Sequence, residues 1–279
     1  MTIRVGHNTL SFSMPSEDGK SILYEPFIVK SGVSMSANLR EAFKSMDFLR
    51  QVPPRARLVI DDQVLMVPLA HYEEDESKVM FNHAFPDKEQ GVLFSTVLPE
   101  LNAVAVSVVN KDLKLVVDDH FQETLIMNAM TPVWNHLYRR SFTGNRQKLY
   151  AYFHEHQLDV FAFQQKGFKF CNSYEVKHMR DAVFYLLFVW NNLQLNQSED
   201  ELHLVGDIFQ SNILSTAARE ELLTQLHKYL QKVYIINPAA DFQSALGTLS
   251  PAESQARLAE LEKMPYDLQA LFVRRNSQT

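Results

Sequence analysis

Three aromatic-rich strands in close succession, followed by an apolar helix, limit the fold of this chain more than any other feature of its sequence. The alternating, aromatic pattern predicts strands over residues 148–154, 158–164 and 168–174, separated by short turns. Residues 176–193 are predicted to form a helix, which should be deeply buried because its middle is apolar on every side. The segment is therefore an antiparallel meander covered by a helix.

Strands alternate with helices after this meander. Residues 201–205 and 233–236 are predicted strands, and residues 215–230 are predicted to form an amphipathic helix between them. Parallel neighbours cannot be joined by a tight turn, so a helix must cross between them. The second half of the chain therefore has the order β-β-β-α-β-α-β. This is the order of a ribonuclease-H-like unit, an α/β fold with a mixed sheet.

The first half of the chain ends in a similar sequence of strand, helix and strand, which predicts an internal structural duplication. Ser36 is the predicted cap of its first helix. The surplus of elements predicts an inserted segment around residues 51–98. The predicted strands are residues 10–14, 22–30, 57–60, 64–67, 92–97, 103–109 and 125–130, and the predicted helices are residues 36–50, 73–83, 112–121 and 132–140.

A loop of small polar residues around Gly144 divides the two halves. The first lobe is predicted over residues 1–140 and the second over residues 141–279. Two C-terminal helices complete the second lobe. The first of them begins at a capping box formed by Ser250 and Glu253, and the second covers residues 266–273.

Composition and charge exclude several classes of protein. The chain has 279 residues, a net charge of −6 and one cysteine, Cys171. The acidic balance and the lack of a Lys/Arg cluster argue against a nucleic-acid partner. A single cysteine cannot form an intramolecular disulfide. No apolar run approaches the roughly 20 residues of a membrane span. We therefore expect a cytoplasmic protein without a membrane span.

The stretch from Leu202 to Asp207, with the sequence LHLVGD, is an apolar strand that ends just before a predicted helix. It resembles the adenosine-side motif of actin-like ATPases, where two glycines let the backbone approach a nucleotide. Gly206 matches the first glycine, and Asp207 stands in place of the second. The resemblance implies the actin-like ATPase fold, built of two ribonuclease-H-like lobes. It also implies ATP or ADP with Mg²⁺ as the ligand that Gly206 and Asp207 would contact.

Residues 56–130 show a narrower resemblance. Apolar strands at residues 57–60 and 64–67 precede a charged helix, and the strand that begins at Ala103 precedes another helix and strand. This arrangement is similar to the cytoplasmic actin-like domains of pilus-assembly and type II secretion scaffold proteins. The chain also resembles an uncharacterised bacterial family of about this length with that fold. The resemblance to the scaffold domains implies a protein partner, or self-association, more than catalysis.

Both predicted phosphate loops depart from the pattern of actin-like ATPases, in which the first strand of each half ends in Asp before a glycine-containing turn. In the first half, the predicted strand ends at Met14-Pro15, and Asp18-Gly19 is interpreted as a plain hairpin tip. In the second half, the turn at residues 154–157 has no glycine. These departures argue against ATP hydrolysis.

Other candidate sites are incomplete. A ribonuclease-H-type nuclease needs three carboxylates for two metal ions, and only Asp207 occupies one of the required places. His154, His156 and His178 could together bind a metal, but no carboxylate or cysteine ligand stands nearby, so solvated histidines are favoured. The acidic pair that begins at Asp61 is interpreted as turn residues. No catalytic residue and no metal site is therefore assigned.

Three hypotheses follow, in descending order. The first is a non-catalytic actin-like-fold scaffold or interaction protein with degenerate phosphate loops. The alternative is a divergent nucleotide-binding ATPase or sugar-kinase relative that uses Gly206 and Asp207 in the interlobe cleft. The third is a metal-dependent nuclease. The lack of an intact catalytic motif weighs against an enzyme.

Overall fold

Strands and helices alternate along the chain, as the sequence predicts. The computed structural model describes residues 1–16, 21–50, 53–86, 91–142, 144, 146–206, 216–245 and 250–273. The elements of the first half are β1 (Thr2–Val5), β2 (Leu10–Pro15), β3 (Ile22–Phe27), α1 (Met35–Ser45), β4 (Arg55–Ile60), β5 (Val64–Pro68), α2 (Glu74–Ala84), β6 (Val92–Leu98), β7 (Ala103–Val109), α3 (Lys111–Asp118), β8 (Glu123–Asn128) and α4 (Met130–Ser141).

The second half repeats the same kinds of element and adds helices at its end. The elements are β9 (Lys148–His154), β10 (Gln157–Gln164), β11 (Gly167–Glu175), α5 (Met179–Asn192), β12 (Glu201–Gly206), α6 (Thr216–Leu226), β13 (Val233–Ile235), α7 (Pro238–Ala245), α8 (Pro251–Leu261) and α9 (Tyr266–Val273). From β9 to β13 the order is β-β-β-α-β-α-β, as predicted from the aromatic meander and the helical crossovers.

Two five-stranded sheets share one strand order. The first is β3-β2-β1-β4-β8, and the second is β11-β10-β9-β12-β13. In each sheet the central strand pairs antiparallel with the strand that follows it and parallel with the strand beyond the first helix. A separate antiparallel sheet, β5-β7-β6, lies between β4 and α3 in chain order. The predicted inserted segment overlaps these strands, and its limits stay a prediction.

The chain divides into two units. One consists of Met1–Pro132 with Ala259–Met264, and the other of Val133–Leu258 with Pro265–Thr279. The predicted lobe boundary between residues 140 and 141 stays a prediction. None of the helices in the described parts of the chain has the length and apolarity that crossing a lipid bilayer requires.

The first helix differs from its prediction at both ends. Its cap is Ser34, whose hydroxyl accepts a hydrogen bond from Ala37 N at 3.3 Å, and not Ser36. The helix stops at Ser45 because Met46 adopts an extended conformation, with φ −88° and ψ 120°. A separate 3-10 turn follows at Asp47–Leu49, so the predicted continuation of one helix to residue 50 is wrong. Two serines two residues apart offer alternative caps, and the sequence pattern does not distinguish them.

Opposite faces of the second sheet have different chemistry. Helices α5 and α6 cover a face of aliphatic and phenyl side chains, including Leu149, Ala151 and Phe153 of β9. Because side chains alternate along a strand, Tyr150, Tyr152 and His154 lie on the other face. That second face is aromatic and polar, and it leads to the candidate site.

Candidate functional site

The carboxyl ends of β9, β12 and β13 lie together at one edge of the second sheet. Gly206, the last residue of β12, is in register with Phe153 of β9. Ligands of open α/β sheets bind at the carboxyl ends of parallel strands. We call this the carboxyl edge of the second sheet, and it contains the one predicted site residue that the structure describes. The other, Asp207, lies outside the described residues.

Gly206 is required by the packing of the chain itself. Its φ of +92° lies in a region that residues with a side chain rarely adopt. A Cβ at this position would lie 2.3 Å from the Phe153 carbonyl oxygen and 2.6 Å from Cε2 of Tyr152. Such distances are too short for any real side chain. The glycine therefore lets β9 and the Tyr152 ring come close to the backbone of β12. In the adenosine-side motif that it resembles, the glycine serves the approach of a nucleotide instead.

The Tyr152 ring is covered by a residue from the C-terminal end of the same unit. It stacks on His154 at 4.7 Å between ring centroids, with an interplanar angle of 15°. It also lies 5.9 Å from the ring of Tyr266, in α9. Tyr152 and Tyr266 are both almost completely buried. The Tyr152 ring therefore occupies the position beside Gly206 that a side chain would take, and Tyr266 packs on that ring.

Asp241 holds α7 and α9 in this position. Its carboxylate lies 2.7 Å from His136 Nε2 and accepts a hydrogen bond from the Tyr266 hydroxyl at 3.2 Å. Arg140, one turn after His136 in α4, forms an ion pair with the same carboxylate. Burial raises the pKa of Tyr266 well above its ordinary value, so its hydroxyl keeps the proton that it donates. Phe242 packs against the rings of both His136 and Tyr266.

His154 takes part in a buried polar chain across three strands. Its Nε2 lies 2.5 Å from Asp159 Oδ2, and Ser173 donates its hydroxyl hydrogen to Asp159 Oδ1. Both His154 and Asp159 are 5% exposed. The aspartate lies between the other two groups, so the imidazole does not contact the serine oxygen and cannot act as its base. The chain of contacts explains a buried carboxylate and does not form a catalytic triad.

The predicted group of three histidines is not brought together. His154 is buried, His156 is exposed in the turn, and His178 caps α5 in a capping box with Asp181. Solvation, the alternative favoured on sequence, is therefore wrong for His154. Over the described part of the chain, no group of three His, Cys, Asp or Glu side chains is placed to hold a metal ion.

The β9–β10 turn is too tight to surround a phosphate group. His154 and Gln157 are paired across the hairpin, so Glu155 and His156 alone form the loop. Glu155 adopts a φ of +48°, which a two-residue hairpin requires. A phosphate-binding loop presents several successive backbone N–H groups to the anion. Two loop residues offer at most two.

In the first sheet, the turn that follows the first strand is not the one that the sequence predicts. Its first strand is β1, which the sequence analysis missed, so Met14-Pro15 ends the second strand and not the first. The turn after β1 begins at Gly6, whose N–H donates to Thr9 O at 2.8 Å. This turn therefore contains a glycine, although no aspartate ends the strand. The predicted hairpin tip at residues 18–19 lies outside the described residues.

A buried ion pair lies at the carboxyl edge of the first sheet. Arg4 of β1 donates from Nη2 to Asp61 Oδ2 at 2.6 Å and from Nη1 to Thr9 Oγ1 at 2.9 Å. The side chains of Arg4 and Asp61 are 4% and 7% exposed. Asp61 directly follows β4, which agrees with its interpretation as an acid at the end of an element, but the sequence gives no sign of its ion pair with Arg4. Its carboxylate neutralises a guanidinium inside the unit.

His203, on the aromatic face of the second sheet, makes the stability of the protein depend on pH. Its ring lies 5.3 Å from Tyr150 and 5.3 Å from Tyr234, its neighbours across the sheet. Burial lowers the pKa of His203 below its ordinary value of 6.5, and the hydrogen bond that its imidazole donates to the Glu201 carboxylate partly opposes this. The unfolded chain therefore binds a proton first as pH falls. The contribution of His203 to stability is complete above pH 6.5 and is lost below it.

We expect His203→Phe to reduce the loss of stability on acidification. Phenylalanine keeps a ring between Tyr150 and Tyr234 but cannot be protonated. Urea unfolding at about pH 7.5 and about pH 5.5 would give the change in free energy of unfolding for each protein. Equal changes for wild type and variant would show that His203 does not contribute to this dependence.

The two five-stranded sheets have the same strand order, and in each of them the parallel strands end beside the turn of a hairpin. These features define the class of the protein. It has the actin-like ATPase fold, as the sequence predicts. A crystal structure from Bacteroides thetaiotaomicron VPI-5482, described as a protein with actin-like ATPase fold and unknown function, superposes with a TM-score of 0.76 and 27% identity, covering 89% of this chain and 95% of that one. The predicted fold class is confirmed.

The chain belongs to the family described as protein of unknown function (DUF3822), whose model matches residues 1–233. The predicted resemblance to an uncharacterised family with this fold is therefore confirmed. The PilM-PilN type IV pilus biogenesis complex also matches, with a TM-score of 0.55, 12% identity and 97% of each chain covered. At that identity the likeness concerns the fold alone. No curated protein matches the chain significantly.

Proposed function

We propose that this chain is a non-catalytic actin-like-fold protein that acts by binding other protein chains. One observation supports this most directly. The Tyr152 ring and the Phe153 carbonyl occupy the space that the missing side chain of Gly206 leaves free. In the motif that Gly206 resembles, that space admits a nucleotide. Here the glycine serves the internal packing of the unit.

The polar groups at both carboxyl edges support the same proposal. In the first unit, the Arg4 guanidinium is bound to Asp61 and Thr9. In the second unit, the His154 imidazole is bound to Asp159. A site for a charged ligand must offer its polar groups to that ligand. In each unit these groups are buried and bound to partners within that unit, so they are unsuited to bind phosphate or Mg²⁺.

The proposed partner is a protein, either another chain or a second copy. The neighbour PilM-PilN is by its description a complex of two proteins in type IV pilus biogenesis. An interaction role for this chain is consistent with that example. We further propose that the chain consists of two ribonuclease-H-like lobes, residues 1–140 and residues 141–279, and that the protein acts in the cytoplasm.

Thermal unfolding with and without nucleotide tests the proposal. A ligand at about 100 times its dissociation constant would stabilise the protein by about 2.7 kcal/mol and move the melting temperature by several degrees. We expect no shift with millimolar ATP or ADP and Mg²⁺. Mg²⁺ with tripolyphosphate is the control, because it reproduces the charge of the nucleotide without its base and ribose.

A shift with ATP or ADP that tripolyphosphate does not reproduce would contradict the proposal. It would favour the alternative, a divergent nucleotide-binding ATPase or sugar-kinase relative with Mg²⁺-ATP or Mg²⁺-ADP as its ligand. The Gly6-containing turn after β1 is the feature that favours this alternative. Isothermal titration calorimetry would then give the stoichiometry and the affinity.

A further inference from the structure

The last helices of the chain belong to the two units in turn. We call residues 251–273 the C-terminal strap, which consists of α8, a short connection and α9. Residues 251–258 and 265–273 belong to the second unit, whereas Ala259–Met264 belongs to the first. One continuous segment thus contributes its middle to the first unit and its end to the second.

The middle of the strap is held in the first unit by one polar and two apolar side chains. Glu260 Oε2 accepts a hydrogen bond from the backbone N–H of Ile22, in β3, at 3.0 Å. Among the described strands β3 is an edge strand, so a side chain and not a further strand satisfies this N–H group. Leu261 and Met264 are almost completely buried. We call Glu260, Leu261 and Met264 the anchor of the strap.

The end of the strap packs beside the candidate site of the second unit. All eight residues of α9 are buried. The Tyr266 ring packs on Tyr152, which lies beside Gly206, and the Tyr266 hydroxyl donates a hydrogen bond to Asp241. A helix as short as α9 is marginal in isolation, so these contacts must hold it in place.

No slack separates the anchor from α9. Met264 is followed by Pro265 and then by Tyr266, the first residue of α9. An extended chain spans at most about 3.6 Å per residue, so the Cα atoms of Met264 and Tyr266 cannot be more than about 7 Å apart. The proline ring also fixes one of the backbone angles between them. A displacement of the anchor must therefore move or strain the first turn of α9.

We propose that the anchor in the first unit controls how firmly α9 packs against Tyr152 in the second. A segment that is fixed directly beside its binding place reaches that place at a high effective concentration. Release of the anchor removes this advantage, so α9 opens more often. An equilibrium coupling is reciprocal, so loosening α9 must also loosen the anchor. The inference goes beyond the proposed function and does not depend on it.

Hydrogen exchange of the full chain, followed by mass spectrometry of its peptides, measures how often α9 opens. We expect Glu260→Ala to accelerate exchange of the α9 amides about 10-fold, because the anchor loses a hydrogen bond to a charged group. Leu261→Ala should act in the same direction by loosening the apolar part of the anchor. Exchange in the central strand β9 should stay at the wild-type rate, which distinguishes local opening of α9 from unfolding of the whole unit.

Glu25→Ala is the matched control for Glu260→Ala. Glu25 is an exposed residue of β3, so this variant makes the same chemical change on the strand that the anchor contacts, but outside the strap. The α9 amides should exchange at the wild-type rate in this variant. Circular dichroism and the melting temperature establish that each variant folds.

Tyr266→Phe tests the coupling in the reverse direction. It removes the hydroxyl that donates to Asp241 and keeps a ring against Tyr152. The peptide that contains Ile22 should then exchange several-fold faster, although Ile22 and Tyr266 belong to different units. An unchanged rate at Ile22, in a variant whose α9 exchanges faster, would show that α9 and the anchor open independently.

Wild-type exchange of α9 in both Glu260→Ala and Leu261→Ala would overturn the inference. Equal acceleration of α9 in Glu25→Ala, or equal acceleration throughout the chain, would also overturn it, because the effect would not come from the strap. The nucleotide experiment has a different readout. A nucleotide-specific shift in the melting temperature would contradict the proposed function and leave the coupling through the strap unchanged.

Discussion

Replacing Gly206 with alanine is expected to lower the free energy of unfolding by about 3 kcal/mol or more. The φ of +92° alone disfavours a side chain at this position. The larger effect is steric, since the new Cβ would lie 2.3 Å from the Phe153 carbonyl oxygen. That oxygen belongs to the paired strand β9 and cannot turn aside as the end of a flexible side chain could. The strands must separate, and Tyr152 must move with them.

Gly144→Ala is the matched control for this experiment. Gly144 has nearly the same backbone angle, with φ +89°, but among the described residues no atom lies within 4 Å of the position that a Cβ would take. Its replacement should cost about 1–2 kcal/mol, which is the cost of the backbone angle alone. Guanidinium unfolding of both variants would give the steric contribution by difference. Equal losses in the two variants would contradict the close packing described at Gly206.

The close packing at Gly206 shows how much the sequence reveals about the role of this glycine. An apolar strand that ends in glycine before a helix resembles an adenosine-side motif, and the resemblance correctly predicted the fold. The sequence does not reveal that Tyr152 and Tyr266 fill the same face, because these residues are far apart in the chain. The approach of the Tyr152 ring to Gly206, 2.6 Å from the position of a Cβ, is likewise a tertiary contact that the sequence pattern does not show.

The second half was predicted from its sequence more accurately than the first. Strand β9 has the predicted bounds, Lys148–His154, because its aromatic residues alternate regularly and a tight turn follows. Strand β1 was missed because it has only four residues, too few for the alternation of Thr2 and Arg4 with Ile3 and Val5 to be distinctive, although all four are buried. A polar residue on a buried face gives no sequence signal unless its partner is known.

Helix α7 was missed for a different reason. The sequence predicts a strand over residues 233–236 and no helix directly after it, whereas Asn237 caps α7 and accepts a hydrogen bond from Ala239 N at 3.0 Å. Asn followed by Pro suits a helix start as well as a turn, because proline is favoured at the first helical position. With α7 missed, the role of Asp241 could not be predicted.

Arg4→Met is expected to destabilise the protein by about 3–5 kcal/mol, because it removes one partner of a buried ion pair. The Asp61 carboxylate, 7% exposed, would lose the guanidinium that lies 2.6 Å away. Methionine fills part of the arginine volume, so the loss reflects charge more than a cavity. Chemical denaturation at neutral pH measures the change in free energy of unfolding.

Arg55→Met provides the comparison at the surface. Arg55 Nε lies 2.7 Å from Glu123 Oε2, but the two side chains are 79% and 67% exposed. Its loss should cost at most about 1 kcal/mol, since water replaces the lost partner. Arg4→Met/Asp61→Asn should recover part of the stability lost in Arg4→Met, because it removes the buried charge as well. If the double variant were no more stable than Arg4→Met, the contribution of Arg4 would come from packing. The carboxyl edge of the first sheet would then lack the internal neutralisation that argues against a phosphate site.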